Sequence, residues 1–225
     1  MRLHRAVLAA CLLAIGVLSS PGRAAGEGTF TIAVIPDTQQ EITGPRFANR
    51  MQWLADNRAA LNLQLVVQVG DMMNWDTPEH EQFVHQEAGV RLLDAAGIPY
   101  VFAIGNHDTA AVKEGSAAPG NVNQNLRNTS TYNRYFPTSR FVLLRGTWEE
   151  GRIDNAYHAF RAGGLDWLVV NLEPWARPEP IAWAGRVIQE HPHHNVIIVT
   201  HAHMTGGGRI RSEEHTSELQ SPNTI

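Results

Sequence analysis

Apolar runs and helical stripes alternate along this chain, and four of the apolar runs end on a residue able to bind a metal ion. The β-rich run 29–36 ends at Asp37. Phe47, Met51, Leu54, Arg58 and Leu61 then recur at spacings of four and three, which predicts one helix. The run 63–69 predicts a strand ending at Gly70-Asp71. A helix is expected from Thr77-Pro78, a cap residue followed by proline, to Ala96, with Gly97 as its stop. Residues 99–104 predict a strand leading into Gly105-Asn106-His107-Asp108, and residues 195–200 a buried strand ending at His201. Strand-like pieces at 140–144, 157–161 and 165–172 and a helix at 181–191 complete the α/β pattern, with 109–131 read as a long surface loop. No repeat or linker divides the domain.

Open α/β sheets gather ligands beyond the carboxyl ends of their strands. Asp37, Asp71, Asn106 and His201, carried to one sheet edge, would therefore meet although far apart in sequence. Carboxylate, amide and imidazole form a mixed oxygen and nitrogen set suited to Mn²⁺, Zn²⁺, Fe²⁺ or Mg²⁺. One aspartate can bridge two such cations, and a pair about 3.5–4 Å apart can share a hydroxide aligned for attack on phosphorus. A nearby imidazole can protonate the leaving oxygen.

These strings resemble, in order, four of the five motifs of the calcineurin-like metallophosphoesterases: Asp37-Thr38-Gln39, Gly70-Asp71, Gly105-Asn106-His107-Asp108 and Val199-Thr200-His201. The resemblance covers about residues 29–210 and implies a two-sheet α/β/β/α sandwich, incomplete at its C-terminus. It further implies a metal-dependent hydrolase of phosphate monoesters or diesters, with two divalent metal ions and a bridging hydroxide. Asp37 and Gln39 would serve the first metal, Asp71 would bridge, and Asn106 and His201 would hold the second. His107 would sit beside the scissile oxygen, oriented by Asp108. Small phosphate esters are the expected substrates, with specificity set by loops such as 109–131.

Three departures qualify the match. Gln39 stands where histidine is usual; an amide oxygen still ligates, more weakly. Asn74 stands where purple acid phosphatases place their iron-binding tyrosine, which disfavours a ferric enzyme. The fifth motif, Gly-His-x-His, is missing. His201-Ala202-His203 does not replace it, because residue 200 is threonine rather than glycine, and His203 is expected to be a nearby polar residue. The chain as written is therefore expected to be inactive. A non-catalytic exported binding module of the same fold is the alternative, supported by Gln39.

The two ends are set aside from the fold. Residues 1–25 combine Arg2, His4 and Arg5 with an apolar run over 6–18 and small residues before Ala25, the anatomy of a cleaved secretory signal. An exported protein, periplasmic or extracellular, follows, with no stable membrane anchor after cleavage. Cys11, the one cysteine, would leave with the signal. Residues 211–225 resemble an in-frame translation of a sequencing adapter and are read as a non-native tail. Between these ends, residues 26–210 hold 14 basic and 19 acidic residues, so no nucleic-acid platform is evident. His80, His85, His193 and His194 are read as solvated, and the tryptophans as core or rim packing.

Overall fold

The computed structural model describes residues 28–203. The signal-like segment 1–25, the adapter-like tail 211–225 and the stretch between His203 and that tail lie outside the described residues. The first sheet contains β1 (Thr31–Ile35), β2 (Leu63–Gln68) and β3 (Tyr100–Phe102), all parallel and adjacent in that order. Ile35, Gln68 and Phe102 stand level across it, so the three following loops leave from one edge. The second sheet has the order β6 (Leu144–Thr147), β7 (Ala156–Ala162), β8 (Leu165–Leu172) and β9 (Asn195–Thr200), with β8 and β9 parallel. A small hairpin of β4 (Val112–Lys113) and β5 (Ser116–Ala117) stands apart.

Strand alternation explains how the sheets stack. Tyr100 and Phe102 point one way, towards Phe47, Met51 and Leu54 of α1 (Arg46–Asp56) and Phe83, Val90 and Leu93 of α3 (Glu81–Ala95). Val101 and Ala103 point the other way and join Leu65, Val67, Val169 and Val199 between the two sheets. On the far side, Leu168, Val170 and Leu172 of β8 pack on Ala184 and Val187 of α6 (Pro178–Glu190). The order is helix, sheet, sheet, helix, the α/β/β/α sandwich that the motif resemblance implies. Each fully buried Leu, Val or Phe in these layers contributes about 1.5–3 kcal/mol.

Several elements differ from expectation. The helix expected over 47–61 is two: α1, and α2 (Arg58–Leu61). Asn57 lies between them: its backbone N–H keeps the helical bond to the Trp53 carbonyl, and its side-chain amide donates to the same oxygen as a local competitor. Helix α3 begins at Glu81 rather than near Thr77. Residues 77–80 make a turn in which Thr77 Oγ1 accepts the Glu81 N–H at 3.3 Å. The expected loop 109–131 contains the β4–β5 hairpin, α4 (Val122–Arg127) and the start of α5 (Ser130–Tyr135). The side chain of Asn121 caps α4 by accepting the Gln124 N–H at 3.1 Å. Strand β9 is buried on one face only, with Ile198 57% exposed on the other. Among the described residues no helix is long and apolar enough to cross a membrane.

Candidate metal and phosphoester site

Two glycines let the site close. A Cβ on Gly105 would lie 2.0 Å from Asp71 Oδ1 and 2.2 Å from Asp71 N. One on Gly70, whose φ is +103°, would lie 2.8 Å from Gly105 N and from His201 Cβ. The loops after β2 and β3 therefore touch backbone to backbone, and the His201 side chain from the end of β9 packs against Gly70, an approach that only residues without a side chain permit. Asp71 itself has φ +54°, a left-handed conformation that aspartate tolerates better than most residues.

Around that junction the expected side chains converge. Asp71 is 3% exposed; its Oδ1 accepts the His107 N–H at 3.0 Å, and its Oδ2 lies 3.2 Å from His201 Nε2. The other nitrogen of His201, Nδ1, donates to the Val69 carbonyl at 3.1 Å and stands 3.7 Å from Asp37 Oδ1. Thr38 N–H donates to the Asp71 carbonyl at 3.0 Å, fixing the Asp37-Thr38-Gln39 loop against the β2 loop. Asp37, Asp71, His107 and His201 thus share one edge. No hydrogen bond ties the Asn106 or Gln39 side chains to these four among the described residues, although each is a chain neighbour of the cluster.

Electrostatics follow from two carboxylates and an imidazole in one recess. Burial disfavours a charged His201, but the hydrogen bond to Asp71 and the charges of Asp71, Asp37 and Asp108 outweigh it and push its pKa up to about 9. Burial, offset in part by His201, and the charge of Asp71 hold the Asp37 carboxyl above its usual range. A recess of this kind favours added positive charge.

The donor set fits a divalent cation. Gln39 Oε1 is buried without a hydrogen-bond partner among the described residues. His201 has Nδ1–H fixed on a backbone carbonyl, the outer contact typical of a ligating imidazole, with Nε2 turned to a carboxylate. Among the described residues no three His, Cys, Asp or Glu side chains stand as a ready-made metal cluster. The acids and the imidazole pair with one another, and two of the five expected ligands are amides.

Asp108 is placed differently from expectation. It does not orient His107. Its Oδ1 accepts the N–H groups of Met72 and Met73 at 2.8 and 2.9 Å, and its Oδ2 accepts that of Gly105 at 2.8 Å. Burial and then the charge of Asp71 push this carboxyl up to about 7. Asp108 therefore braces the β2 and β3 loops against each other, because three orphan backbone donors converge where the loops cross. The ring of His107 is held instead by the Asn74 carbonyl, which accepts from Nδ1 at 2.5 Å.

Sequence reasoning missed Gln86. It is fully buried on α3 and donates to the Met72 carbonyl at 2.9 Å and the Thr38 carbonyl at 3.4 Å, joining the first two loops. A glutamine on the core-facing side of a helix was the available signal. Glu173, at the end of β8, was missed as well. It is 2% exposed and takes hydrogen bonds from Asn155 and Arg177, while its own carbonyl accepts from Thr200 Oγ1 at 3.4 Å beside His201. Burial opposes its ionisation, yet Arg177 and Arg127 hold its carboxyl below the usual range.

The family model for the calcineurin-like phosphoesterase matches residues 30–225. An uncharacterized protein of Bacillus subtilis (strain 168), YvnB, is 27% identical over 201 residues, 86% of this chain. The chain spans only 14% of the length of that relative. Among solved structures, purple acid phosphatase PPD1 from yellow lupin (Lupinus luteus) seeds is similar at 15% identity and a TM-score of 0.44, over 74% of this chain and 29% of that one.

Proposed function

Because this chain belongs to the calcineurin-like phosphoesterase family, we propose that its domain is a metal-dependent hydrolase of phosphate monoesters or diesters. The observation that carries the reading is the meeting of Asp37, Asp71, His107 and His201 where the loops after β1, β2, β3 and β9 touch. Two divalent cations are the proposed cofactors, with Asp37 and Gln39 holding one, Asn106 and His201 the other, and Asp71 shared. When bound, such a pair would offset charge on the phosphoryl oxygens and make water a stronger nucleophile near neutral pH.

The chain's own groups supply the rest. His107 has Nδ1–H committed to Asn74, so Nε2 remains to face substrate and, in the protonated ring, to donate to the leaving oxygen. Asp108 keeps the His107 and Asp71 loops in register through its three backbone contacts. A cavity of about 310 Å³ lies against the residues that follow His107. Its walls include Asp108, Thr109, Asp76, Lys113 and Thr131. Export, to the periplasm or the medium, is proposed from the signal-like segment 1–25.

The test is hydrolysis of aryl phosphate mono- and diesters by the full-length protein with added Mn²⁺ or Zn²⁺, followed by EDTA. Turnover that needs metal supports the reading. Metal uptake with no turnover on any ester class would favour a binding module, and the hydrolase reading would be abandoned.

A further inference from the structure

Helix α3 presents a second buried glutamine, Gln82, one turn before Gln86 and only 7% exposed. A polar amide on a core-facing position has a desolvation cost that its hydrogen bonds must offset. Gln82 spends its Oε1 on the loop after β2, accepting the Asn74 N–H at 2.8 Å and the Trp75 N–H at 3.1 Å. The second of these has a geometric consequence. The Trp75 N–H and the Asn74 carbonyl belong to one peptide unit, and in a trans peptide they point in opposite directions. The residues 74–75 bond is trans, since the chain contains no cis peptide among the described residues. With its N–H drawn to Gln82, that peptide unit must aim its carbonyl away from α3. That carbonyl is the acceptor that holds His107 Nδ1 at 2.5 Å.

We propose that Gln82 is a positioning residue for His107: by gripping the Trp75 N–H it aims the Asn74 carbonyl, and so holds the imidazole as the Nδ1–H tautomer with Nε2 free for the substrate. The role of His107 at Nε2 rests on the hydrolase reading given above; the control of its tautomer by Gln82 does not. Gln86 is the natural comparison, because it lies four residues on and its hydrogen bonds among the described residues go to the Met72 and Thr38 carbonyls rather than to the peptide that meets His107.

The experiment is long-range ¹H–¹⁵N NMR of the imidazoles in the purified chain, in mildly alkaline buffer without metal, on the parent, Gln82→Leu and Gln82→Glu. The parent is expected to show His107 almost wholly as the Nδ1–H form. Gln82→Leu, which lacks the acceptor, is expected to lower the ratio of that form to the Nε2–H form at least fivefold. Gln82→Glu, which keeps an acceptor oxygen, is expected to restore the parent ratio to within twofold. A folded Gln82→Leu protein with an unchanged ratio overturns the proposal. Should that variant not fold, amide exchange in the parent decides: slow exchange at Asn74 and Trp75 supports the grip, and free exchange there overturns it. In an active full-length protein, Gln82→Leu is further expected to lower kcat at least tenfold with KM within threefold and metal content unchanged. Failure of metal-dependent turnover in the parent would remove the hydrolase reading and leave the tautomer result standing.

Discussion

His201 Nε2 stands 3.2 Å from Asp71 Oδ2, joining the end of the second sheet to the end of the first through one imidazole and one carboxylate. Asp71 takes this position from a backbone with φ +54°. Asparagine tolerates the left-handed region as aspartate does, whereas alanine meets a penalty of about 1–2 kcal/mol. Asp71→Asn is therefore expected to keep the fold, retain an acceptor for the His107 N–H and lose at least tenfold in Mn²⁺ affinity. Asp71→Ala should lose the same affinity and unfold at lower temperature. Calorimetric titration and thermal melts of both variants check this; equal melting points for the two would remove the backbone argument.

The two glycines at the loop crossing make a sharper test. Gly105→Ala places a methyl group 2.0 Å from Asp71 Oδ1 and 2.2 Å from Asp71 N, atoms of the site and of its backbone that cannot turn aside. A loss of at least about 3 kcal/mol is expected, with metal uptake abolished. Gly185→Ala is the control. It lies inside α6 with nothing within 4 Å of its added Cβ, and helix propensity predicts a gain of about 0.5–1 kcal/mol. Urea unfolding of the pair measures both, and a mild Gly105→Ala phenotype would mean that the loops do not approach as described.

Gln39 Oε1 offers a third measurement, since a buried acceptor without a donor contributes little to the metal-free fold. Gln39→Leu is expected to leave stability within about 1 kcal/mol of the parent while lowering affinity for the more weakly held cation. Gln39→His is expected to raise Zn²⁺ affinity, imidazole being the better donor to that ion. Isothermal titration with Zn²⁺ and Mn²⁺ reads both changes. Unaltered binding in Gln39→Leu would take Gln39 out of the ligand set.

How far the sequence discloses this site depends on where the information lies. Asp37, Asp71, His107 and His201 are legible because each follows a short apolar run, and parallel strands level at Ile35, Gln68 and Phe102 must deliver their loops to one edge. The layered fold is implied by the motif resemblance rather than by a local pattern; the structure realises it by turning Tyr100 and Phe102 to the helices and Val101 and Ala103 to the second sheet. Backbone acceptors are another matter. Nothing in residue type says that Asp108 will collect the N–H groups of Met72, Met73 and Gly105, or that the Asn74 carbonyl will take the proton of His107. Those contacts depend on how two loops cross, which no local pattern encodes. Helix α3 shows the same limit, because Gln82 and Gln86 interrupt an apolar face for the sake of loops that precede them in the chain.

A histidine remote from the site gives a pH test of the fold itself. His158 on β7 is 1% exposed, donates through Nε2 to Asn171 Oδ1 at 3.1 Å, and its Nδ1 has no partner among the described residues. Burial lowers its pKa from the usual 6.5 to about 4, the hydrogen bond it donates to Asn171 opposing and Arg145 adding to the effect. In the unfolded chain the same ring takes its proton near 6.5. Between those values the unfolded state binds more protons than the folded one, so stability rises with pH. Its contribution is complete above about pH 6.5 and is lost progressively as pH falls towards about 4. At about 1.36 kcal/mol for each pKa unit, the loss is roughly 3 kcal/mol. His158→Gln retains a donor for Asn171 and cannot titrate, so its stability should fall less steeply over the same interval. Urea unfolding from pH 7 to pH 4 compares the two slopes. Parallel curves for parent and variant would show that His158 is protonated as readily in the folded chain as in the unfolded one.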